Sequence, residues 1–402
     1  MIYRARWVLP VDRAPIAGGW IETQGAGGTA NVDERITRIG AGQPPAAAED
    51  LGDVALLPGL VNAHTHLELA WMAGLVPPSG SMDEWIRALL AVRRAGPYGG
   101  ESEVRTAMTE AAEEMRATGT VLVGDISNSL VSPSVLIDAG IGGVVFHELL
   151  GFSQTDPATA VRNAWQRVEA QPAGLRYSVV AHAPYSVSRE LFVEIAARAG
   201  AVPLSVHLGE SAEEVEFLRT GRGPIRTMLE SLDVWTDEWR IPSCDPVTYM
   251  ADVGYLVEGV LLVHGVHLTD DALERVRRAK AVLVTCPRSN LWVGAGPPRL
   301  SHFFASGAPV AIGTDSLASA PTLNMFDELA EMRRLAPELA APSLLQSATL
   351  RGAVALGFGH DYGTLVPGKR AALVAVDVPP AERDVEEYLV SGVSAGAIRR
   401  VA

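Results

Sequence analysis

Two histidines, His64 and His66, stand two residues apart at the end of the apolar run LLPGLVNAHTHLELA (56–70). In a strand, residues i and i+2 point to the same face, so both imidazoles would project together from its end. Two imidazoles on one side are half of a metal site. Three more residues able to bind a metal or move protons end later apolar runs: His207 in VPLSVHLGE (202–210), His264 in GVLLVHGVHL (259–268) and Asp315 in PVAIGTDS (309–316). One divalent ion held by His64, His66, His207 and Asp315 would have imidazole and carboxylate ligands. That set suits Zn²⁺ and is tolerable for Fe²⁺ or Mn²⁺. Any one of these histidines reads equally well as a hydrogen-bonded structural residue; five such residues ending four runs point to a single rim.

The elements that must position them follow a regular alternation. From about residue 52 onward eight β-rich runs occur: ALLPGLVNAHTH (55–66), GTVLVGDIS (119–127), GGVVFHELLG (142–151), RYSVVAHAPYS (176–186), the 202–210 and 259–268 runs above, AVLVTCP (281–287) and 309–316. Unbroken Val, Ile and Leu suit strands buried on both faces of a parallel sheet. Helical patterns lie between them; Val104, Met108, Ala111 and Met115 recur at helical spacing and Gly119 follows as a stop signal. Eight β units joined by helices predict an α/β fold, a (β/α)₈ TIM-like barrel spanning 55–358, with the site at the C-terminal ends of the strands. Residues 1–54, with pieces such as GGWIETQGAGG, and residues 359–402, with GTLVPGKRAALVAVDV, are each too short for a core of their own. They are expected to pair into one small β domain. Two long connections, 67–101 and 211–258, are expected to shape access to the site.

Composition narrows the function classes. The 402 residues are 48% hydrophobic and 20% charged, a globular balance. A net charge of −14, with Lys280 and Lys369 the only lysines, argues against a nucleic-acid partner. The two cysteines, Cys244 and Cys286, lie far apart and suggest neither a disulfide framework nor a Cys metal site. Without an apolar h-region or a run of eighteen apolar residues, the chain reads as cytoplasmic, with no membrane partner.

The segments PGLVNAHTHLE, VHLGES, LLVHGVHL, TCPRSN and IGTDS, in this order, resemble the amidohydrolase superfamily, and more closely its branch of aminohydrolases and chlorohydrolases acting on heterocyclic rings. The resemblance spans about residues 55–377. It implies that His64, His66, His207 and Asp315 hold one metal per chain, most naturally zinc with iron as the alternative. It further implies that Glu210 carries protons to a ring nitrogen, and that His264 orients or deprotonates the water on the metal. Glu210 or Asp315 would then serve the proton transfer that releases ammonia. Relatives with two metals commonly use a carboxylated lysine ending strand four; here His182 stands there. Glu148 could be offered as a substitute bridge, although a buried structural carboxylate is the simpler role.

Substrate contacts follow from the same resemblance. His182 in AHAPYS matches a histidine that touches the bound heterocycle. Glu68, directly after the His pair, could accept ribose hydroxyls or orient a ligand histidine. Trp71 and Trp85 on the first long connection could stack on a flat ring or pack in the core. Arg288 in CPRSN suggests bidentate capture of an anionic group. HTHLEL together with CPRSN most resembles the subgroup of 6-aminodeoxyfutalosine deaminases of the futalosine route to menaquinone, whose substrate is an adenosine-like nucleoside carrying a benzoate. The implied partner is a small purine nucleoside, the implied reaction hydrolytic deamination at C6. Triazine chlorohydrolysis, deamination of adenosine or S-adenosylhomocysteine, and a non-catalytic ligand-binding barrel are the alternatives. A homodimer is common among relatives, but no interface signature is visible.

Overall fold

The structure is a computed structural model that describes residues 1–25 and 34–401. Its centre is eight parallel strands: β1 (Leu60–Thr65), β2 (Thr120–Ser127), β3 (Gly142–Leu149), β4 (Arg176–Ala181), β5 (Ser205–Leu208), β6 (Leu261–His264), β7 (Val282–Thr285) and β8 (Val310–Ile312). Every residue of β1, β2 and β5–β8 is buried, which is why their sequences are continuous rather than alternating. The eight strands form two four-stranded sheets, β4-β3-β2-β1 and β5-β6-β7-β8.

The expected barrel is therefore observed as two parallel half-sheets, and the two seams between them have different physical causes. Between β4 and β5 the hydroxyl of Tyr255 stands where a ladder bond would run. It accepts the N–H of Ala181 at 3.0 Å and donates to the carbonyl of Ser205 at 3.1 Å. Just beyond, the His207 N–H donates to the His182 carbonyl at 2.9 Å. Between β8 and β1 the amides of Thr314 and Asp315 both donate to the His64 carbonyl at 3.1 Å. Asn62 Nδ2 donates there to Thr314 Oγ1 at 2.7 Å, and Thr65 bridges to Asp315. Gly313 makes this approach feasible, since a Cβ on it would lie 2.5 Å from the His64 carbonyl oxygen.

The run 55–66, expected as one strand, is two. Val54–Pro58 pairs antiparallel with Leu373–Asp377 and parallel with Trp7–Val8, whereas β1 pairs with β2. Gly59 is the joint: a Cβ there would sit 2.4 Å from Val121 Cγ1. The sheet containing Val54–Pro58 has five strands and combines both ends of the chain, from Trp7–Val8 and Ile16–Ala17 to Leu373–Asp377 and Ile398–Arg400. A four-stranded sheet of Ile2–Arg4, Gly19–Gln24, Arg35–Ala41 and Glu49–Asp50 lies in the N-terminal segment. The last residues of GGWIETQGAGG, 26–28, fall outside the described residues.

Both long connections are folded. The first holds α1 (Met82–Ala95), begun by Ser81, whose hydroxyl accepts the Glu84 amide, and leads into α2 (Gly100–Ala117). Met108, Ala111, Ala112 and Met115 are buried on the inner face of α2; each methionine contributes about 1.5–3 kcal/mol of burial. The second connection carries α3 (Ala212–Thr220) and two shorter helices, Pro224–Ser231 and Pro246–Asp252. Two further helices bear on the site: α4 (Pro287–Trp292) and α5 (Met325–Leu335).

Candidate metal and acid–base centre

His64 and His66 leave the end of β1 on one side, as their spacing predicts. His66 Nε2 lies 3.2 Å from His64 Nε2 and 3.2 Å from His207 Nε2 at the end of β5. Asp315 Oδ1, just past β8, is 3.6 Å from His66 Nε2 and 4.0 Å from His64 Nε2. A tetrahedral ion about 2.0–2.1 Å from each nitrogen separates its ligand atoms by about 3.3–3.4 Å, so this cluster fits zinc with little movement. Burial, reinforced by neighbouring imidazoles, pushes His64 and His66 well below the usual histidine range and lowers His207 as well. All three therefore present neutral lone pairs, as ligands must. The Nδ1 of His207 hydrogen-bonds the His182 carbonyl at 3.0 Å, which puts its proton there and frees Nε2. Ser289 donates to Asp315 Oδ2 at 2.6 Å, leaving Oδ1 for the centre. His64 Nδ1 is buried without a hydrogen-bond partner among the described residues.

A second group, Glu148, His182 and His207, also converges. It shares His207, whose Nδ1 is already engaged with the His182 carbonyl, and Glu148 accepts a bond from Asn128 Nδ2 at 3.0 Å. It lacks three free donors of its own.

Beside the imidazole cluster stands a pair suited to moving protons. His264 Nε2 is 3.6 Å from Glu210 Oε1, both side chains being buried. Burial first, then the charges of Asp315 and Glu214, raises the Glu210 carboxyl well above its ordinary range. Burial and the imidazoles of His207 and His182 push His264 well below its own. A protonated carboxyl, able to act as a general acid, thus faces a neutral imidazole. Asn290 Nδ2 donates to His264 Nδ1 at 2.9 Å, assigning the ring proton to Nε2. His264 and Asp315 have φ of 75° and 58°, costly for non-glycine residues and typical of positions held for chemistry.

The expected substrate contacts fare unevenly. His182 is half-buried, with its ring centroid 4.8 Å from that of His207 and its Nδ1 2.6 Å from the Ser186 hydroxyl. Burial, then the Arg93 charge, pushes it down to about 4. Glu68 is a correction: its carboxylate accepts the amides of Asn128, Ser129 and Leu130, each at 3.1 Å, and the hydroxyls of Ser127 and Ser129. It organises the loop after β2, with both oxygens engaged there. Arg288 is a second correction. At the start of α4 its guanidinium donates to Thr322 Oγ1 at 3.0 Å and lies 3.5 Å from Asp327 and 3.6 Å from Glu328. Glu328 is fully buried, and burial pushes its carboxyl up to about 8 against the pull of Arg288; the guanidinium N–H groups are engaged by Thr322 and Asp327. Trp85 is buried among Met72, Val76, Val293, Ala295 and Ala318, and Trp71 packs on the same cluster. Their packing role holds; neither is an exposed platform.

Sequence reasoning passed over Ser289, Asn290, Tyr255 and Glu214. The first two stood inside the quoted CPRSN, and Ser211-x-x-Glu214 has capping-box spacing; nothing flagged Tyr255. A cavity of about 1110 Å³ opens on the other face, at the N-terminal ends of β2 and β3, lined by Val121, Gly142, Arg176 and Arg400 and by no histidine. Among the described residues no helix is long and apolar enough to cross a membrane.

Residues 55–399 match the model of the amidohydrolase family. The chain is 32% identical over 356 residues to the aminodeoxyfutalosine deaminase of Deinococcus radiodurans, covering 82% of this chain and 81% of that protein. It superposes on Helicobacter pylori aminofutalosine deaminase, solved with methylthio-coformycin, with a TM-score of 0.85 over all of both chains at 23% identity. An adenosine deaminase from Xanthomonas campestris with bound zinc gives 0.77 at 25% identity, covering 99% of this chain and 90% of that one.

Proposed function

This chain belongs to the amidohydrolase family, and from that premise we propose that it is a metal-dependent hydrolytic deaminase of an adenine-type nucleoside. The observation that carries the reading is the convergence of three histidine Nε2 atoms and Asp315 Oδ1 beside the Glu210–His264 pair. His64, His66, His207 and Asp315 would hold one divalent ion, zinc above iron. Bound there, it supplies the Lewis acidity that brings the pKa of water from 15.7 to about 7. The protein's own groups do the rest. Glu210, held protonated by burial, gives a proton to the ring nitrogen next to C6, so the carbon accepts the attacking water. Asp315 takes that water's first proton while the His264 Nε2–H orients it; Glu210, now a carboxylate, takes the second from the added hydroxyl and passes it to the departing amine, which leaves as ammonia. His182, between the imidazole cluster and solvent, would contact the nucleoside. On this reading the two half-sheets close as one (β/α)₈ barrel over residues 55–358. The small β domain of 1–54 and 359–402 is supported by the sheet that joins both ends of the chain.

The finer substrate assignment is an adenosine-like nucleoside carrying a carboxylate, as in aminodeoxyfutalosine. Similarity to the Deinococcus radiodurans enzyme supports it. With Arg288 committed elsewhere, the cation available is Arg93, in the last turn of α1. It is exposed, and among the described residues makes no hydrogen bond or ion pair. Although burial dominates the shifts of His66, His182 and Glu148, the Arg93 charge bears on all three, which supports its lying within electrostatic reach of them. The test is ammonia release from a panel of purine nucleosides, with and without a carboxylate, by zinc-loaded protein of measured metal content. Preference for the acidic member supports the full reading; preference for adenosine keeps the deaminase and removes the anionic substrate. No ammonia from any nucleoside overturns both.

A further inference from the structure

Between His207 and Glu210 the chain makes one tight turn, and a single buried side chain grips it. Glu214, the third residue of α3, is 0% exposed. Its Oε1 accepts the Gly209 amide at 2.9 Å and its Oε2 the Glu210 amide at 3.1 Å, while its own amide donates to Ser211 Oγ at 3.1 Å. A capping-box glutamate reaches back to the amide of the N-cap residue itself. Here the N-cap is Ser211, and Glu214 reaches past it to the two preceding amides, outside the helix. On the other side of the turn the His267 amide donates to the Gly209 carbonyl at 2.8 Å. Gly209, with φ of 62°, has Leu268 Cδ2 2.6 Å from where a Cβ would lie. Burial pushes the Glu214 carboxyl up to about 7, a cost that a neutral glutamine would avoid. A glutamine, however, has one acceptor oxygen, and its NH₂ would oppose the second N–H. Two consecutive amides call for two oxygens.

We propose that Glu214 is a positioning residue for Glu210: by clamping the amides of 209 and 210 it holds the Glu210 carboxyl opposite His264, where the proton for the substrate ring is delivered. This rests on the deaminase reading above. The test compares Glu214→Gln and Ser211→Ala, the latter removing only the helix cap, in the zinc-loaded full chain. Glu214→Gln is expected to lower kcat about 10- to 100-fold, as a displacement of about 1 Å does, with KM within about twofold. Ser211→Ala is expected to lower thermal stability and leave kcat within about twofold. Glu214→Asp, which keeps both oxygens on a shorter arm, gives an intermediate kcat and replaces the glutamine variant should that fail to accumulate. Hydrogen exchange over residues 205–211 is read on the same samples and needs no turnover; Glu214→Gln is expected to speed it about tenfold or more. Active parent protein with kcat unchanged in Glu214→Gln, or a loss equal to that in Ser211→Ala, overturns the proposal. So does unchanged exchange, even in a protein that releases no ammonia; lack of ammonia from the parent overturns only the deaminase reading.

Discussion

Replacing Tyr255 with phenylalanine deletes one oxygen and leaves the ring in place, at the seam between the half-sheets. That oxygen serves two buried backbone groups, the Ala181 N–H at 3.0 Å and the Ser205 carbonyl at 3.1 Å. Leaving a buried donor or acceptor unsatisfied costs about 1–3 kcal/mol, the carbonyl at the low end because it has two lone pairs. Two such losses total about 3–4 kcal/mol, against which removing a buried hydroxyl returns about 1 kcal/mol. The net, about 2–3 kcal/mol, corresponds to a change of about 30- to 150-fold in local opening. The assay is hydrogen exchange followed by mass spectrometry over β4 and β5, with the far strands β2 and β7 as internal controls. Exchange at Ala181 should accelerate by that factor while the controls stay put. The next residue is His182, and His207 lies two beyond Ser205, so kcat/KM should fall as well. Acceleration of less than about threefold with intact activity would refute the reasoning, for the seam would then be held by something other than this hydroxyl.

Glu210→Gln keeps the shape of the acid and removes its proton; kcat should fall about 10²- to 10⁴-fold with the zinc content unchanged, and loss of zinc instead would reassign Glu210 as a ligand. Arg93→Ala should raise KM for a carboxylate-bearing nucleoside at least about tenfold and leave adenosine alone, and an equal effect on both would remove Arg93 as the anion's receptor. Asp125 is fully buried, accepting the Leu67 amide and the Ser132 hydroxyl, and burial pushes its carboxyl up to about 7. Between the unfolded value and 7 the folded state holds a proton that the unfolded chain releases, so stability falls as pH rises through this window. Asp125→Asn can keep both hydrogen bonds, and its stability relative to the parent should gain about 2–3 kcal/mol between pH 5 and pH 8 in paired denaturant titrations. A gap that does not widen over that range would show the carboxyl is not held protonated.

What could be read beforehand divides along physical lines. The His64/His66 pair, the later strand ends and the buried runs follow from local rules, periodicity and side-chain direction, and those rules need no tertiary information. The break at Gly59 was hidden because Val54–Pro58 and β1 are equally apolar; only their partners, Leu373–Asp377 and β2, differ. Arg288 misled because its role depends on Thr322 and Glu328, 34 and 40 residues further along the chain. A buried carboxyl there was not visible as a partner for this segment. Glu68 likewise looked like part of the site by proximity in sequence, whereas the loop it organises begins about 60 residues later. Hydrophobic pattern reports which residues are inside; it does not report which polar partner each one finds there.

The meeting of Thr65 with Asp315 closes a segment of 250 residues. A ribosome adding about 5–20 residues per second needs roughly 10–50 s to span that interval, so the two imidazoles at the end of β1 are made long before their carboxylate exists. Until then any cation they catch is held by an incomplete set of donors and can be surrendered. The choice of ion is thus made late, by a nearly finished polypeptide, and chelators should interfere far more with newly made protein than with the mature enzyme.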